Sequence, residues 1–403
     1  MKRTGMVLAA FGVFAAVASA QDQQMGARTK AMGGSYTAFE DDPVSIWLNP
    51  AGIAAQPDQG AISYQTYVGY PLKEKGGSGE VTEFAVEPEP TISDPALLPA
   101  YLGFVFQLGS PESPMAIGIA HARPYLLQYS LSKVSSPTQT TFDPTASLQE
   151  SLGRVRLAFG KDFRFRKLGE AGFLPHVAVG VGLDLGYEHW EFENTAKTIL
   201  GPSTTLNSDT SIGLGFGLGV LLGLYDNADW LKINVGAAYQ SAVGFDFDIE
   251  PDILPAFDMP QQLNVGVTFY LLKETPLRLT FDFQWINWKD TAEGALFPGF
   301  EEFEDAFNFS VGAEYRIKVS DKVFLYPRVG YRRFDAPWGD KDNLPMTGVY
   351  RLVLDTKAEA FNLFTFGGGV AWTTESGKLR SIDAGMDVGG DAVSVALSYT
   401  HEF

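Results

Sequence analysis

The chain has 403 residues, with 48 acidic against 30 basic side chains, a formal charge of −18 and no cysteine. That balance argues against nucleic acid, whose phosphates need Lys and Arg, and the lack of cysteine excludes disulfide stapling. Aromatics at 13% and 43 glycines are high and charged residues at 19% are low for a soluble domain. Beyond the first twenty residues no stretch approaches the roughly 20 apolar residues of a spanning helix, so a membrane β-barrel and an exported β-protein are the classes left.

Residues 1–20 read as an export signal: Lys2 and Arg3 give a basic start, Met6 to Val17 is apolar, and Ala18-Ser19-Ala20 is a small-x-small cleavage site. Cleavage there removes two of the 30 basic residues and shifts the charge from −18 to −20. No Cys follows, so a lipid anchor is not expected. In residues 21–58, Gly33-Gly34, Pro43 and Pro50 break the chain into short helical turns, too small to fold alone. Two readings stand for this segment: a plug held inside an enclosing wall, or a disordered extension. The apolar knot of Ile46, Trp47, Leu48 and Ile53 argues against the second.

From residue 59 onward the dominant signal is alternation at period two. Leu263, Val265, Val267, Phe269 and Leu271 alternate with Gln262, Asn264, Gly266 and Thr268; Phe307, Phe309, Val311, Ala313 and Tyr315 alternate with Asn308, Ser310, Gly312 and Glu314. The apolar face carries large aromatics, while the polar face carries glycine and charge. A sandwich would bury its apolar face under a second sheet; this inversion suits a barrel with lipid outside and a polar lumen. The predicted fold is therefore all-β, a transmembrane antiparallel barrel of about 14 strands over residues 59–403. Approximate spans are 61–70, 100–108, 114–123, 151–163, 175–189, 209–224, 230–244, 261–271, 276–288, 305–317, 322–333, 362–372, 379–388 and 391–403. Short links such as Gly109–Ser113 alternate with longer ones such as Pro124–Glu150 and Trp190–Ser208, the pattern of periplasmic turns and extracellular loops. The last strand presents Val393, Val395, Leu397, Tyr399 and the terminal Phe403, which resembles the signal read by the barrel-assembly machinery; His401 departs from it.

Four features within the barrel carry functional expectations. On three consecutive strands the inward side is stripped to small residues: Gly180, Gly182 and Gly186, then Gly213, Gly215, Gly217 and Gly219, then Gly236 and Ala238. Glycine inside a strand marks close approach by another group, so this wall faces the plug or a ligand passage; tight curvature is the alternative. Pro124 stands at the end of the third predicted strand, where it marks a bulge or simply the strand's end. Ile253, Leu254 and Phe257 form an apolar run in the long 245–260 loop, either a landing site for a hydrophobic ligand or packing against another loop. Inward cations (Arg154, Arg156, Lys232, Arg278, Arg316, Arg328, Arg332) lie near Asp184, Glu188, Asp282, Glu314, Asp383 and Asp387, so ion pairs across the wall are the default. The four histidines, His121, His176, His189 and His401, sit in no nucleophile motif and no ligand spacing. No enzyme, cofactor or metal is expected.

The stretch "GARTKAMGGSYTAFEDDPVSIWLNPAGIA" resembles the N-terminus of the FadL/TodX family of outer-membrane transporters for long-chain fatty acids and aromatic hydrocarbons. "LKINVGAAYQSAVGFDFD", "MPQQLNVGVTFYLLKETPLRLTFDFQWINW" and the closing "GVAWTT" to Phe403 are similar to further parts of that family, in the same order. The resemblance implies a hatch over residues 21–58, with Gly33, Gly34, Trp47, Leu48, Asn49, Pro50 and Ala51 as its motif, and an inward kink of the third strand at Pro124 that opens a side exit. Leu126 stands where that family usually has Gly. Passive uptake of a hydrophobic small molecule is implied, by a monomer embedded in outer-membrane lipid. The same opening is shared with PorV-like barrels, which bind protein cargo for a secretion system, and that alternative stays open.

Overall fold

A computed structural model describes residues 25–69, 84–87, 91–92, 99–134, 145–166, 170–198, 201–227, 229–246, 258–271, 277–291, 304–335, 360–389 and 392–403. Residues 1–24, with the expected export signal, lie outside them.

Among the described residues fourteen long strands form one closed antiparallel barrel. They are β1 Gln59–Gly69, β2 Tyr101–Gln107, β3 Met115–Val134, β4 Thr145–Arg164, β5 Gly172–Thr198, β6 Gly201–Asn227 and β7 Leu231–Gln240. The second half comprises β8 Gln262–Leu271, β9 Leu277–Ile286, β10 Ala306–Tyr315, β11 Val323–Asp335, β12 Ala360–Thr373, β13 Leu379–Gly389 and β14 Ala392–Glu402. Each pairs with its neighbour in sequence, and β14 pairs with β1 from Gln59↔Glu402 to Gly69↔Ala392, which closes the wall. Short pieces at Phe84–Glu87 and Thr91–Ile92 add to β3 and β1, and Ile317–Lys318 extends the β10–β11 hairpin.

The alternation works as the sequence pattern requires. On β5, Val179, Val181, Leu183 and Leu185 point outward and are exposed, while Gly180, Gly182, Asp184 and Gly186 are buried inward. Leu183 is 69% exposed and Leu214 on β6 is 79% exposed. An apolar surface this continuous is stable only against hydrocarbon. Inside, the lumen is packed rather than open, and the hatch fills it.

Strands 3 to 6 are longer than their sequence patterns. β3 runs to Val134 instead of stopping at Arg123, and β4 starts at Thr145 instead of 151. β5 and β6 continue to a narrow hairpin at Thr198↔Gly201, so the expected long link Trp190–Ser208 does not exist. Beyond the membrane both faces of a strand meet water, so the apolar–polar alternation fades although the ladder continues. Conversely, the strand expected over 230–244 ends at Gln240, because Ser241 to Phe245 turn into the lumen.

Candidate functional site

The hatch is built from two single-turn helices and a 3₁₀ turn: α1 Ala27–Ala31, α2 Ser45–Leu48, and Pro50–Ile53. Gly33 at φ +71° and Gly34 at φ +86° end α1 in the left-handed region, where their amides reach back to Lys30 O at 3.1 Å and Thr29 O at 2.9 Å. Asn49 caps the 3₁₀ turn. Its Oδ1 accepts from the Ala51 amide at 3.1 Å, and Pro50 occupies the position whose amide would have no partner.

Asn49 also joins the hatch to the wall. Its Nδ2 donates to Thr37 O within the hatch at 2.8 Å and to Val220 O on β6 at 3.1 Å. Trp47 is buried, with the guanidinium groups of Arg154 and Arg156 over its ring at 5.6 and 5.1 Å. The Trp47 carbonyl accepts from Arg156 Nη1 at 2.7 Å and Gln240 Nε2 at 3.0 Å. Ile46, Trp47 and Ile53 pack with Tyr101, Val105, Ala116, Ala120 and Ala158 of β2–β4, and Leu48 is partly buried beside them. Each large apolar side chain so buried contributes about 1.5–3 kcal/mol.

The small-residue wall is filled. A side chain at Gly180 or Gly219 would strike Asn49-Pro50-Ala51, and one at Gly236 would strike Thr37 O. Gly182 and Gly217 make room for Arg156, whose atoms lie 2.9 Å from a Cβ at either position. Gly186, Gly213 and Gly215 face the inturned segment, with Val243 Cγ2 2.7 Å from a Cβ at 215. That segment is pinned by the Val243–Met259 bridge, at 3.0 and 2.9 Å, and by Ser241 Oγ, which accepts from the Phe216 amide at 2.9 Å. The patch thus seats the hatch, an arginine and the base of the 245–260 loop, and the described residues leave no passage along it. Ile253, Leu254 and Phe257, farther along the loop, lie outside the described residues.

At Pro124 β3 does not stop. The register steps from Ala122↔Arg154 to Tyr125↔Leu152, so the strand carries one extra residue, a bulge at 123–124. Proline removes one ladder donor there, which is why the bulge falls at this residue.

Charged groups supply the rest of the docking. Lys30 is fully buried, donating to Asp387 at 2.9 Å and Ser394 at 2.6 Å. Arg28 grips Glu314 at 3.0 and 3.1 Å and Asp41 at 3.2 and 3.3 Å, with its guanidinium over the stacked rings of Tyr36 and Phe39. Arg328 joins Glu314 to Asp383 at 2.6 and 2.7 Å, and Arg278 reaches Asp41 at 2.6 Å. Arg156 and Arg154 pair with Asp184 at 2.6 and 3.3 Å. Asp282 instead caps a hatch turn, accepting from the Tyr36 and Thr37 amides at 2.8 Å each and from the Ser35 and Thr37 hydroxyls. Lys232 pairs with Glu40 of the hatch.

On the short-turn side the hatch forms the ceiling of a vestibule of about 560 Å³. Its described lining includes seven Lys or Arg and eight Asp or Glu, among them Arg28, Glu40, Asp41, Lys232 and Arg278, so it is charged and nearly balanced. Burial works to raise the Glu40 carboxyl, but Lys232 and His176 more than offset it and hold it below the usual range. Asp41 is lowered in the same way, burial being outweighed by Arg278 and Arg28. Asp42 goes the other way: burial raises it, and Arg28 and the Val44 amide only moderate the rise.

Sequence reasoning missed two groups of docking residues. Gly118, Gly160, Gly312 and Gly330 on other strands also abut the hatch, a Cβ at 330 lying 2.6 Å from the Gly33 amide. Their signal was the same inward glycine in an alternating strand. Arg28, Lys30 and Glu40 left no signal, because their partners lie 286, 357 and 192 residues away.

No family model matches the sequence, and no curated protein matches it. Solved structures do share the fold. The Ralstonia pickettii toluene transporter TbuX superposes with a TM-score of 0.56 at 15% identity, over 95% of this chain and 99% of that one. The Pseudomonas putida toluene transporter TodX gives 0.57 at 15% identity, over 94% and 98%. A Pseudomonas aeruginosa FadL homologue gives 0.57 at 11%, over 94% and 98%. The closed antiparallel barrel expected from the strand pattern is the fold these structures share with this chain.

Proposed function

We propose that the chain is an outer-membrane channel for the passive uptake of hydrophobic small molecules, long-chain fatty acids or aromatic hydrocarbons, with short turns facing the periplasm. The observation that carries this reading is a fourteen-strand barrel whose lumen is occupied by its own N-terminal hatch, in the fold of channels described as toluene transporters. A lateral exit at the Pro124 bulge is part of the proposal. The charged vestibule supports it, since an apolar solute continuing down the axis would enter water and lose about 25 cal/mol per Å² of apolar surface relative to the bilayer. Ile253, Leu254 and Phe257 are proposed to receive the solute from outside. The C-terminal strand ending in Phe403 is proposed to address the chain to the barrel-assembly machinery, and the barrel to act as a monomer without catalysis.

The test is uptake of labelled oleate and of toluene in cells lacking the protein and complemented with wild type or Asn49→Ala. Wild type is expected to restore uptake of at least one solute and Asn49→Ala to impair it. No uptake of either, together with protein capture by the extracellular loops, would replace this reading with the PorV-like one.

A further inference from the structure

The net charge of the chain is gathered at one end of the barrel. The seven links at the long-loop end, 70–100, 135–144, 199–200, 241–261, 287–305, 336–359 and 390–391, carry 23 acidic and 6 basic residues, a net −17. The six links at the short-turn end, 108–114, 165–171, 228–230, 272–276, 316–322 and 374–378, carry 6 acidic and 7 basic residues, a net +1. The antiparallel order of β1 to β14 fixes the end from which each link leaves the wall. Link 241–261 has five acidic residues and no basic one, and Ile253, Leu254 and Phe257 belong to it.

Inside the barrel the cations are already engaged. Arg154 and Arg156 pair with Asp184 at 3.3 and 2.6 Å, Lys30 with Asp387 at 2.9 Å, and Lys232 with Glu40. Arg28, Arg278 and Arg328 converge on Glu314 at 3.0, 3.2 and 2.6 Å, and Arg332 stands 4.0 Å from Asp387. A solute that recruited one of these groups would strand a buried carboxylate. On the long-loop side of the hatch the wall amides serve one another, Gln284 donating to Gln262 at 3.0 Å and Asn308 to Gln284 at 2.8 Å.

We propose that the long-loop end is a charge filter: it turns back anionic amphiphiles and admits uncharged apolar molecules, so the solute carried is neutral and not a fatty-acid anion. This narrowing rests on the uptake role and the orientation proposed above. Two effects act in series. A net −17 at the mouth lowers the local concentration of anions and slows their association. An anion that does enter meets cations that already hold carboxylates, at Asp184, Glu314 and Asp387. A carboxyl of ordinary pKa, about 4, is ionised at neutral pH and feels both effects. An alcohol with the same chain feels neither.

The experiment compares initial uptake of labelled oleate and labelled oleyl alcohol, each corrected for uptake by cells lacking the protein. It is run at about 10 mM and about 150 mM salt, where the Debye length shrinks from about 30 to about 8 Å. Wild type is expected to take up the alcohol about tenfold faster than oleate at low salt, the lower end of what such fields do to association rates, and the gap should narrow at high salt. Asp246→Asn/Asp248→Asn/Glu250→Gln/Asp252→Asn should narrow the gap at low salt and leave alcohol uptake unchanged. Adding Glu293→Gln, Glu301→Gln, Glu302→Gln and Glu304→Gln should narrow it further. Asp258 and Asp305 are left in place because they hold the Phe245 amide and the Trp285 indole. Glu112→Gln/Glu170→Gln/Asp229→Asn/Glu375→Gln, which removes four acids from the short-turn end, should behave as wild type. Heat-modifiable migration establishes folding, and if the eightfold variant is unfolded the first fourfold one carries the comparison. Oleate uptake equal to that of the alcohol at low salt, a gap untouched by the loop substitutions, or an equal effect of the short-turn set would overturn the filter while the uptake role stands. Uptake of neither probe above the background would overturn both.

Discussion

Asn49 uses both ends of its side chain at once, Oδ1 for the 3₁₀ turn and Nδ2 for Thr37 O and Val220 O. Asn49→Ala strands buried backbone groups on both sides, and the hatch is expected to lose about 2–4 kcal/mol of docking free energy, from orphaned buried partners at about 1–3 kcal/mol each. Faster hydrogen exchange of the 45–54 amides than in wild type is the readout, with the barrel strands unchanged. Lys30 makes a sharper case. Lys30→Met leaves Asp387 buried with its 2.9 Å partner gone and Arg332 4.0 Å away. A loss of about 3–5 kcal/mol is expected, whereas Lys30→Met combined with Asp387→Leu should recover most of it. If the single variant unfolds no more readily in denaturant than wild type, the pair is not holding the hatch.

At the scale of elements, the hatch and the strands that face it are one interlocked unit, and the glycines are where they touch. Gly219→Ala places a Cβ against Asn49 and Pro50, so it should raise hatch mobility much as Asn49→Ala does; Gly368→Ala, whose new Cβ would meet only Tyr326 O at 3.5 Å, should be silent. Limited proteolysis of the hatch in folded barrels separates the two. Acid should loosen the same element. The folded pKa values of Glu40 and Asp41 lie below their unfolded ones, so their stabilisation is complete above the unfolded values, about 4, and is lost as pH falls through the folded ones. Asp42 has the opposite sign: its raised value means that protonation relieves a cost as pH falls. The part of the hatch held by Glu40 and Asp41 is therefore expected to loosen as pH falls below about 4, measurable by exchange of the amides around residues 40 and 41. Charge-neutral Glu40→Gln should blunt that pH dependence.

For the whole molecule, the continuous ladder from β1 round to β14 does not pass through the hatch. A chain lacking residues 21–58 but keeping its export signal should therefore still close and migrate as a heat-modifiable barrel. Its lumen, relieved of its filling, should conduct ions in planar bilayers where wild type does not, because a barrel of this strand number is wider than its own wall side chains can fill. A collapsed or unfolded deletion product would mean that the hatch is part of the fold and not its occupant.

The barrel and its apolar exterior were legible in residues such as Leu263 to Leu271, and the burial of the N-terminal segment in the Ile46–Leu48 knot. Period-two alternation is a local record of what each face of a strand meets, and lipid outside with a polar lumen inside writes it strongly wherever the strand crosses the membrane. The tertiary structure decided the rest. Where β5 and β6 leave the bilayer the record fades, so their extension to Thr198 and Gly201 was hidden. The glycine wall announced a close approach without naming its occupant, because an absent side chain does not specify whether Pro50, Arg156 or Val243 takes the space. Lys30 and Asp387 meet only because closing the barrel carries the last strands round to the hatch; contact across 357 residues is set by that geometry, not by any neighbouring residue.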